Sequence, residues 1–354
     1  MMARLEEICA INMGQSPDSS TYNEDGNGLP FFQGNADFGE TYPAVRMWCS
    51  EPTKIAREKD ILISVRAPIG ALNIANCECC IGRGLAALTV NEDICAQEYL
   101  WHALSGKVDE LNSKGTGSTF KAINKKTLSE TEIPLPPIDE QRKIAAILDK
   151  VSDLIAKRQQ QLDKLDEAVK ARFVEIFGDC YTNPHNLPIE KWNNIFSTTT
   201  GKLDSNAAVE NGKYPFFTCS KETLRINTYA FDQEALLLAG NNAAGKYDVK
   251  YYCGKFNAYQ RTYVLSLKHD WSYALFRFQL EDKLGYLEQQ SLGGLTKYLT
   301  LKILNELEFI VPPKEEQDKF AAFVDQIEKT KTTVSHSLEK LETLKKALMQ
   351  EYFR

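Results

Sequence analysis

The 354-residue sequence is short of histidine, of net positive charge and of long apolar runs, and each shortage removes a class of function. No apolar stretch reaches membrane-spanning length and no charged-then-apolar leader opens the chain, so a soluble, unexported, cytoplasmic protein without membrane attachment is expected. Only 4 histidines accompany 9 cysteines. The cysteines cluster once, as CECC at 77–80, with no second ligand pair at zinc spacing, which favours reduced structural thiols over a metal site. A net charge of −6 argues against indiscriminate nucleic-acid binding. Residues 1–135 carry 12 Lys+Arg against 18 Asp+Glu, 136–178 carry 8 against 8, 179–311 carry 14 against 14, and 312–354 carry 8 against 8. If the chain touches DNA at all, it must do so through local basic and amide-rich patches, and its low net charge would then leave partner subunits to supply part of the phosphate binding.

Catalytic signatures are also missing. The nearest string to an Asn/Asp-Pro-Pro-aromatic methyl-transfer motif is NPHN at 183–186, and there is no glycine-rich dinucleotide loop, nucleophile elbow or H-E-x-x-H. GNNAAGKY at 240–247 imitates a phosphate loop, but Tyr247 stands where Ser or Thr would hold magnesium, and the following DVKYYCGKF reads as a strand. A tight turn between two strands is predicted there, as at the matching APIGALNI of 67–74. Asn241, Asn242 and Lys246 on that turn remain candidates for touching bases or phosphates. His102 is expected to be a structural histidine, and Trp48, Trp101, Trp192 and Trp271 core or interface aromatics. No catalysis and no cofactor are expected of this chain alone.

What the sequence does have is a long-period repeat. IPLPPIDEQRKIAAILDK at 133–150 returns as FIVPPKEEQDKFAAFVDQ at 309–326. Pro136, Pro137, Glu140, Gln141, Lys143, Ala145, Ala146 and Asp149 reappear 176 positions later as Pro312, Pro313, Glu316, Gln317, Lys319, Ala321, Ala322 and Asp325, and the match continues without a gap to Phe177 and Phe353. Such a repeat sets the architecture before any single residue does. The chain is one half-unit written twice, a globular segment and then a long helix: 1–135 and 136–178, then 179–311 and 312–354.

The paired prolines mark helix starts. Asp139, Glu140, Glu315 and Glu316 complement the dipoles of the first turns, and Gly178 stops the first helix. Three-four spacing assigns a seam to Ile144, Ile147, Val151, Leu154, Arg158, Leu162, Leu165, Val169, Phe173 and Ile176. In the second copy it assigns Phe320, Phe323, Ile327, Thr330, Val334, Leu338, Leu341, Leu344, Leu348 and Tyr352. Arg158 and Thr330 are polar interruptions suited to fixing register. Chain order makes any pairing of the two helices antiparallel, with Leu162 and Leu165 expected against Leu338 and Leu341. The alternative is a coiled-coil arm that joins two copies of the chain.

Both globular segments read as mixed α/β. Strands are predicted at 29–34, 60–65 and 85–90, one helix at 98–111, and a glycine-rich basic loop at 114–128 that runs into a strand or short helix. The second segment offers matching pieces at 214–219, 234–239, 262–267, 271–282 and 291–304. The rods are nearly duplicated while the loops differ, as expected if each unit reads a different target. If the targets are DNA, the candidate contacts are Arg66, Lys114, Ser118, Lys121, Asn124 and Lys125 in the first unit, with Asn241, Asn242, Lys246, Arg261 and Lys297 in the second. Gln141, Ile144, Leu162, Leu165, Gln317, Phe320, Leu338 and Leu341 are the candidates for helix pairing and partner docking.

With these stretches in view, the chain closely resembles the specificity subunit of type I restriction-modification systems. The resemblance rests on the tandem I-P-L-P-P-x-x-E-Q-x-K-I-A-A helix starts, on MGQSP at 13–17, on DILISVRAPIG at 60–70, and on GSTFKAI and GGLTKYL ahead of each Pro-Pro. It implies an α/β (α+β) fold, with two similar target-recognition domains separated by a pair of long antiparallel coiled-coil helices about a pseudo-two-fold axis. It also implies a non-catalytic reader of a bipartite, asymmetric site in double-stranded DNA. Two methyltransferase subunits would bring S-adenosylmethionine, and two restriction-motor subunits would bring ATP and Mg²⁺. A tandem coiled-coil scaffold that binds other proteins is the alternative reading.

Overall fold

The computed structural model describes residues 1–117, 121–243 and 245–353. The chain divides into two compact units, Met1–Gln159 with His336–Arg354, and Gln160–Ser335.

In the first unit a four-stranded antiparallel sheet runs in the order Cys9–Met13, Leu85–Val90, Ile61–Ser64, Leu72–Ile74. Leu88 lies opposite Ile11 on one side and Ile61 on the other. Alternate residues face opposite layers. Ile61, Ile63, Ala86 and Leu88 meet the helix Gln97–Ser105, whereas Leu62, Leu85 and Ala87 pack with Phe32, Cys79 and Ile81. Burial on both faces is why DILISV and LAALTV read as continuous apolar runs instead of alternating ones. Cys79 and Cys80 sit on a strand paired with Leu29–Phe32 and point into separate core clusters.

The second unit has the same element order. Its sheet runs Phe196–Thr200, Thr262–Leu267, Phe231–Ala239, Val249–Ala258, Tyr214–Phe217, Leu224–Ile226. The difference lies in two strands that are continuous here, the first being Phe231–Ala239, which takes the places of both Ile55–Ala56 and Ile61–Ser64. Leu72–Ile74 and Cys79–Ile81 are separate strands in the first unit, interrupted at Ala75–Glu78, but their counterpart Val249–Ala258 is continuous, so the second unit has one six-stranded sheet. The parallel pairings Phe31 with Cys80 and Phe216 with Asn257 show the correspondence. The stretch 240–248 connects two antiparallel strands, as 65–71 does, but it is not a tight turn, since Asn241–Asn242 form a short strand of their own that pairs with Lys297–Tyr298.

Each unit is closed by parts of both long helices, Ile138–Phe177 and Lys314–Phe353. In the first unit Ile144, Ala145 and Leu148, near the start of one helix, share a core cluster with Phe353 at the end of the other, and the Phe353 ring lies 5.2 Å from that of Tyr99. In the second unit the roles exchange. Phe173 and Phe177 end one helix and pack on Phe320 near the start of the other, while Lys331 reaches Asp166 at 2.8 Å. The helix pairing is therefore antiparallel in both units. Gly178, with φ +75°, ends the first helix as expected.

Two further expectations need correcting. The segment 98–111 is not one helix but two, Gln97–Ser105 and Val108–Ser113. The break falls at Gly106, whose side-chain position is filled by Met349: a Cβ there would lie 3.1 Å from its Cε. The helix seam is also displaced. Ile147, Leu154, Thr330 and Leu344 are exposed, and Leu148 and Ile155 take the inward places of Ile147 and Leu154. The first helix offers adjacent apolar pairs, Ile147-Leu148 and Leu154-Ile155, and a three-four spacing runs equally well through either member. At Thr330 the neighbour Lys331 turns inward because Asp166 and Glu328 receive its charge.

Candidate nucleic-acid interface

The three kinds of stretch singled out in the sequence meet at one end of the sheet. In the first unit Gly14 donates to Leu85 O at 2.9 Å, Gln15 to Ile81 O at 3.0 Å, and Val65 to Gly84 O at 2.9 Å. These bonds bring the MGQSP loop, the hairpin turn after Ser64 and the turn Gly82–Gly84 side by side. A side chain on Gly14 would stand 2.2 Å from Gly82 O, so the approach requires glycine. The basic loop joins them: Ala122 bridges both Arg66 and Thr116, Ala67 donates to Lys121 O at 3.0 Å and Ile123 to Val65 O at 2.9 Å.

The second unit repeats most of the bonds of this joint. Gly201 donates to Thr262 O, Gly240 to Arg261 O and Leu299 to Gly240 O. Asn241 and Asn242 pair with Tyr298 and Lys297, and Leu292 bridges Tyr298. The bridge Thr116–Ala122 recurs as Leu292–Tyr298, again 176 positions on. Gly117 and Gly293 both hold left-handed φ, +125° and +107°. Asn124 and Thr300 both cap the short helices that follow, accepting from Thr127 N at 2.9 Å and Ile303 N at 3.4 Å. The duplication therefore includes the loops ahead of each Pro-Pro as well as the helices.

Arg66, Lys121 and Lys125 are exposed on the first joint, and Lys246, Arg261 and the half-buried Lys297 lie on the second. Among the described residues, no carboxylate lies within ion-pair distance of any of these six. Lys114 differs, since it and Lys107 hold Glu110 at 2.7 and 2.8 Å and keep that carboxyl below its usual range. Asn124 spends its carbonyl oxygen on the helix cap. Ser118 lies outside the described residues. Sequence reasoning missed Ser16, Gln33, Arg83 and Gln260, which occupy the same two joints: Ser16 Oγ accepts from Arg83 N, and Gly84 N donates to Gln33 O. An arginine between two glycines directly before a strand was the available signal for Arg83.

The helix candidates divide in two. Gln141 and Gln317 are buried, and their amides are used within the units. Gln141 accepts from Ala96 N at 2.9 Å and donates to Ile94 O and Pro136 O at 3.1 and 2.8 Å. Gln317 accepts from Ser272 N at 2.9 Å and donates to Pro312 O at 2.8 Å. They fasten each helix start to its globular body from inside. Ile144 and Phe320 are core residues, and Leu162, Leu165, Leu338 and Leu341 are half-buried. His102 is buried, its Nε2 lying 2.7 Å from Asp149 Oδ1. A cleft of about 770 Å³ in the second unit, lined in part by Trp271, Tyr273, Arg277, Glu281 and Asp325, includes none of the DNA candidates. No group of three or more metal-ligating side chains occurs among the described residues, and no helix there is long and apolar enough to cross a membrane.

Comparison with known proteins gives a consistent set of likenesses. Residues 1–167 and 191–343 match the type I restriction modification DNA specificity domain. The chain is 43% identical over 165 residues to the putative type I restriction enzyme MjaX specificity subunit of Methanocaldococcus jannaschii, which is 47% of this chain and 39% of that protein. To the type I restriction enzyme EcoDI specificity subunit of Escherichia coli it is 35% identical over 162 residues, 44% of this chain and 35% of that protein. It thus spans well under half the length of these two relatives. A longer match, 25% identical over 308 residues, covers 75% of this chain and 70% of the MjaIX specificity subunit of M. jannaschii. In fold, it matches the S subunit of a type I restriction-modification system from M. genitalium with a TM-score of 0.70 at 15% identity, over 100% of this chain and 96% of that one.

Proposed function

The chain belongs to the type I restriction-modification DNA specificity family, and on that footing we propose that it reads a bipartite, asymmetric site in double-stranded DNA and is itself non-catalytic. The observation that carries this reading is the repeated joint. In both units three glycine-marked loops converge at one end of the sheet and, Lys114 apart, present cations for which the described residues hold no carboxylate partner, which is what phosphate and base-edge contact requires. Asymmetry follows from the side chains, because the joints share a backbone frame but not their chemistry. A chain with net charge −6 makes these local patches the points of contact.

In this reading two methyltransferase subunits carry S-adenosylmethionine and flip an adenine to reach N6. Two restriction-motor subunits carry ATP and Mg²⁺. The present chain supplies the address and the helices on which the methyltransferase subunits dock. The test is to purify the full chain with a co-expressed methyltransferase subunit and map adenine methylation. Methylation confined to one motif of two dissimilar halves separated by an unread spacer is the expected result. Methylation without any motif, or at a single undivided motif with no unread spacer, would overturn it.

A further inference from the structure

The two joints serve as an internal comparison. Two readers that share a backbone frame but address different half-sites cannot discriminate with the residues they have in common. From this we infer a division of labour: Lys121 and Lys297 are phosphate clamps, indifferent to sequence, while Arg83 in the first unit and Gln260 in the second read bases. The inference rests on the DNA-reading function proposed above and deepens it.

The geometry fixes the equivalences. Lys121 and Lys297 are 176 positions apart, each directly before a residue that bridges the start of its loop, Ala122 to Thr116 and Tyr298 to Leu292. Each loop turns on a glycine of left-handed φ and ends in a side-chain helix cap. The same charge on the same frame in both units suits the one partner that both half-sites share, the phosphate backbone.

Arg83 and Gln260 are fixed as counterparts by bonds on either side. Gly82 donates to Phe32 O at 2.8 Å and Tyr259 to Phe217 O at 2.9 Å. Leu85 donates to Gly82 O at 3.0 Å and Thr262 to Tyr259 O at 2.9 Å. Within this common turn the exposed side chain changes from a guanidinium to a carboxamide. These groups have different preferred partners in the major groove, a guanidinium taking guanine O6 and N7 and a carboxamide taking adenine N6 and N7. Gln260 is held lightly, its Nε2 at 3.3 Å from Asp204 Oδ2 on the surface, so it is free to exchange that contact for a base.

The experiment selects bound duplexes from a randomised library with the full chain and its co-expressed methyltransferase subunit, then follows affinity for the winning duplex against salt. Lys121→Ala with Lys297→Ala should keep both half-site motifs and flatten the slope of log K against log salt by about 1.8. Lys121→Arg with Lys297→Arg should restore the slope. Arg83→Gln should exchange a guanine preference for adenine in one half-site only, a change of roughly five- to a hundredfold in relative affinity. Gln260→Arg should do the converse in the other half. A lysine pair whose loss rewrites the motif, or leaves the slope unchanged in protein that melts normally, overturns the clamp. Motifs unmoved by both turn substitutions overturn the readers. Failure of the unaltered complex to enrich any motif would instead remove the DNA-reading function beneath them.

Discussion

Gln141 and Gln317 show how a single side chain can fasten an element. Each amide sits at a Pro-Pro helix start and bonds to the backbone at the beginning of the packed helix of its unit, Ala96 or Ser272. Gln141→Leu removes three hydrogen bonds and strands buried backbone groups, which should cost about 3 kcal/mol at roughly 1 kcal/mol per bond. A urea midpoint unchanged by the substitution would contradict this. The thiols give a second prediction. Burial pushes Cys9, Cys79 and Cys95 of the first unit up to about 12 from an ordinary value of 9.0. Above pH 9 the unfolded chain then loses protons that the folded one keeps, so stability is full below pH 9 and declines toward pH 12. Melting temperature followed from pH 8 to 11 should fall, and iodoacetamide at pH 8 should modify exposed Cys253 while sparing these three. A flat melting profile would contradict the first of these expectations. Residues that the fold brings to the two joints were legible in the sequence where they lay in glycine-rich strings, as Lys121 and Lys297 do. They were not legible where a residue type serves two purposes. Asn124 has the chemistry of a base reader and also that of a helix cap, and one sequence does not say which duty its oxygen performs.

Among the elements, the loop ahead of each Pro-Pro is the most demanding backbone. Gly293 has φ +107°, and a Cβ on it would stand 2.2 Å from Thr296 O. Gly293→Ala should therefore distort the loop that carries Lys297 and reduce recognition of one half-site while the other stays intact. Methylation mapping checks this, and loss of both half-sites together would contradict it. Element types were readable from the sequence because the strands are short apolar runs while the long helices carry a three-four spacing, and both helix starts were marked by paired prolines. The inward face of the long helices was not, since Ile147-Leu148 and Leu154-Ile155 give two equivalent stripes, and the choice depends on the packed body beneath. The break at Gly106 was hidden for a related reason. A lone glycine in an amphipathic stretch costs only about 1 kcal/mol, and Met349, which occupies its side-chain space, comes from 243 residues further along.

At the scale of the molecule, both long helices run from one unit into the other, 40 residues each. If they set the distance between half-sites, inserting four residues in each, near Gln160 and near His336, adds about 6 Å at 1.5 Å per residue. That is close to two base pairs, at roughly 3.4 Å each. Random-duplex selection should then return the same two half-sites with a spacer one or two base pairs longer, and an unchanged spacer would show that the helices are not the ruler. The placement of Phe353 against Tyr99 bears on the order of folding. The second unit is one uninterrupted stretch, 160–335, whereas the first draws on residues on both sides of it. Closing a core across 254 positions is entropically slower than closing one within a continuous segment. The half made later should therefore finish first. Pulse-labelled hydrogen exchange during refolding should protect Leu236 and Leu265 before Leu88 and Tyr99, and the region made earliest waits for its last helical turns before its core can shut.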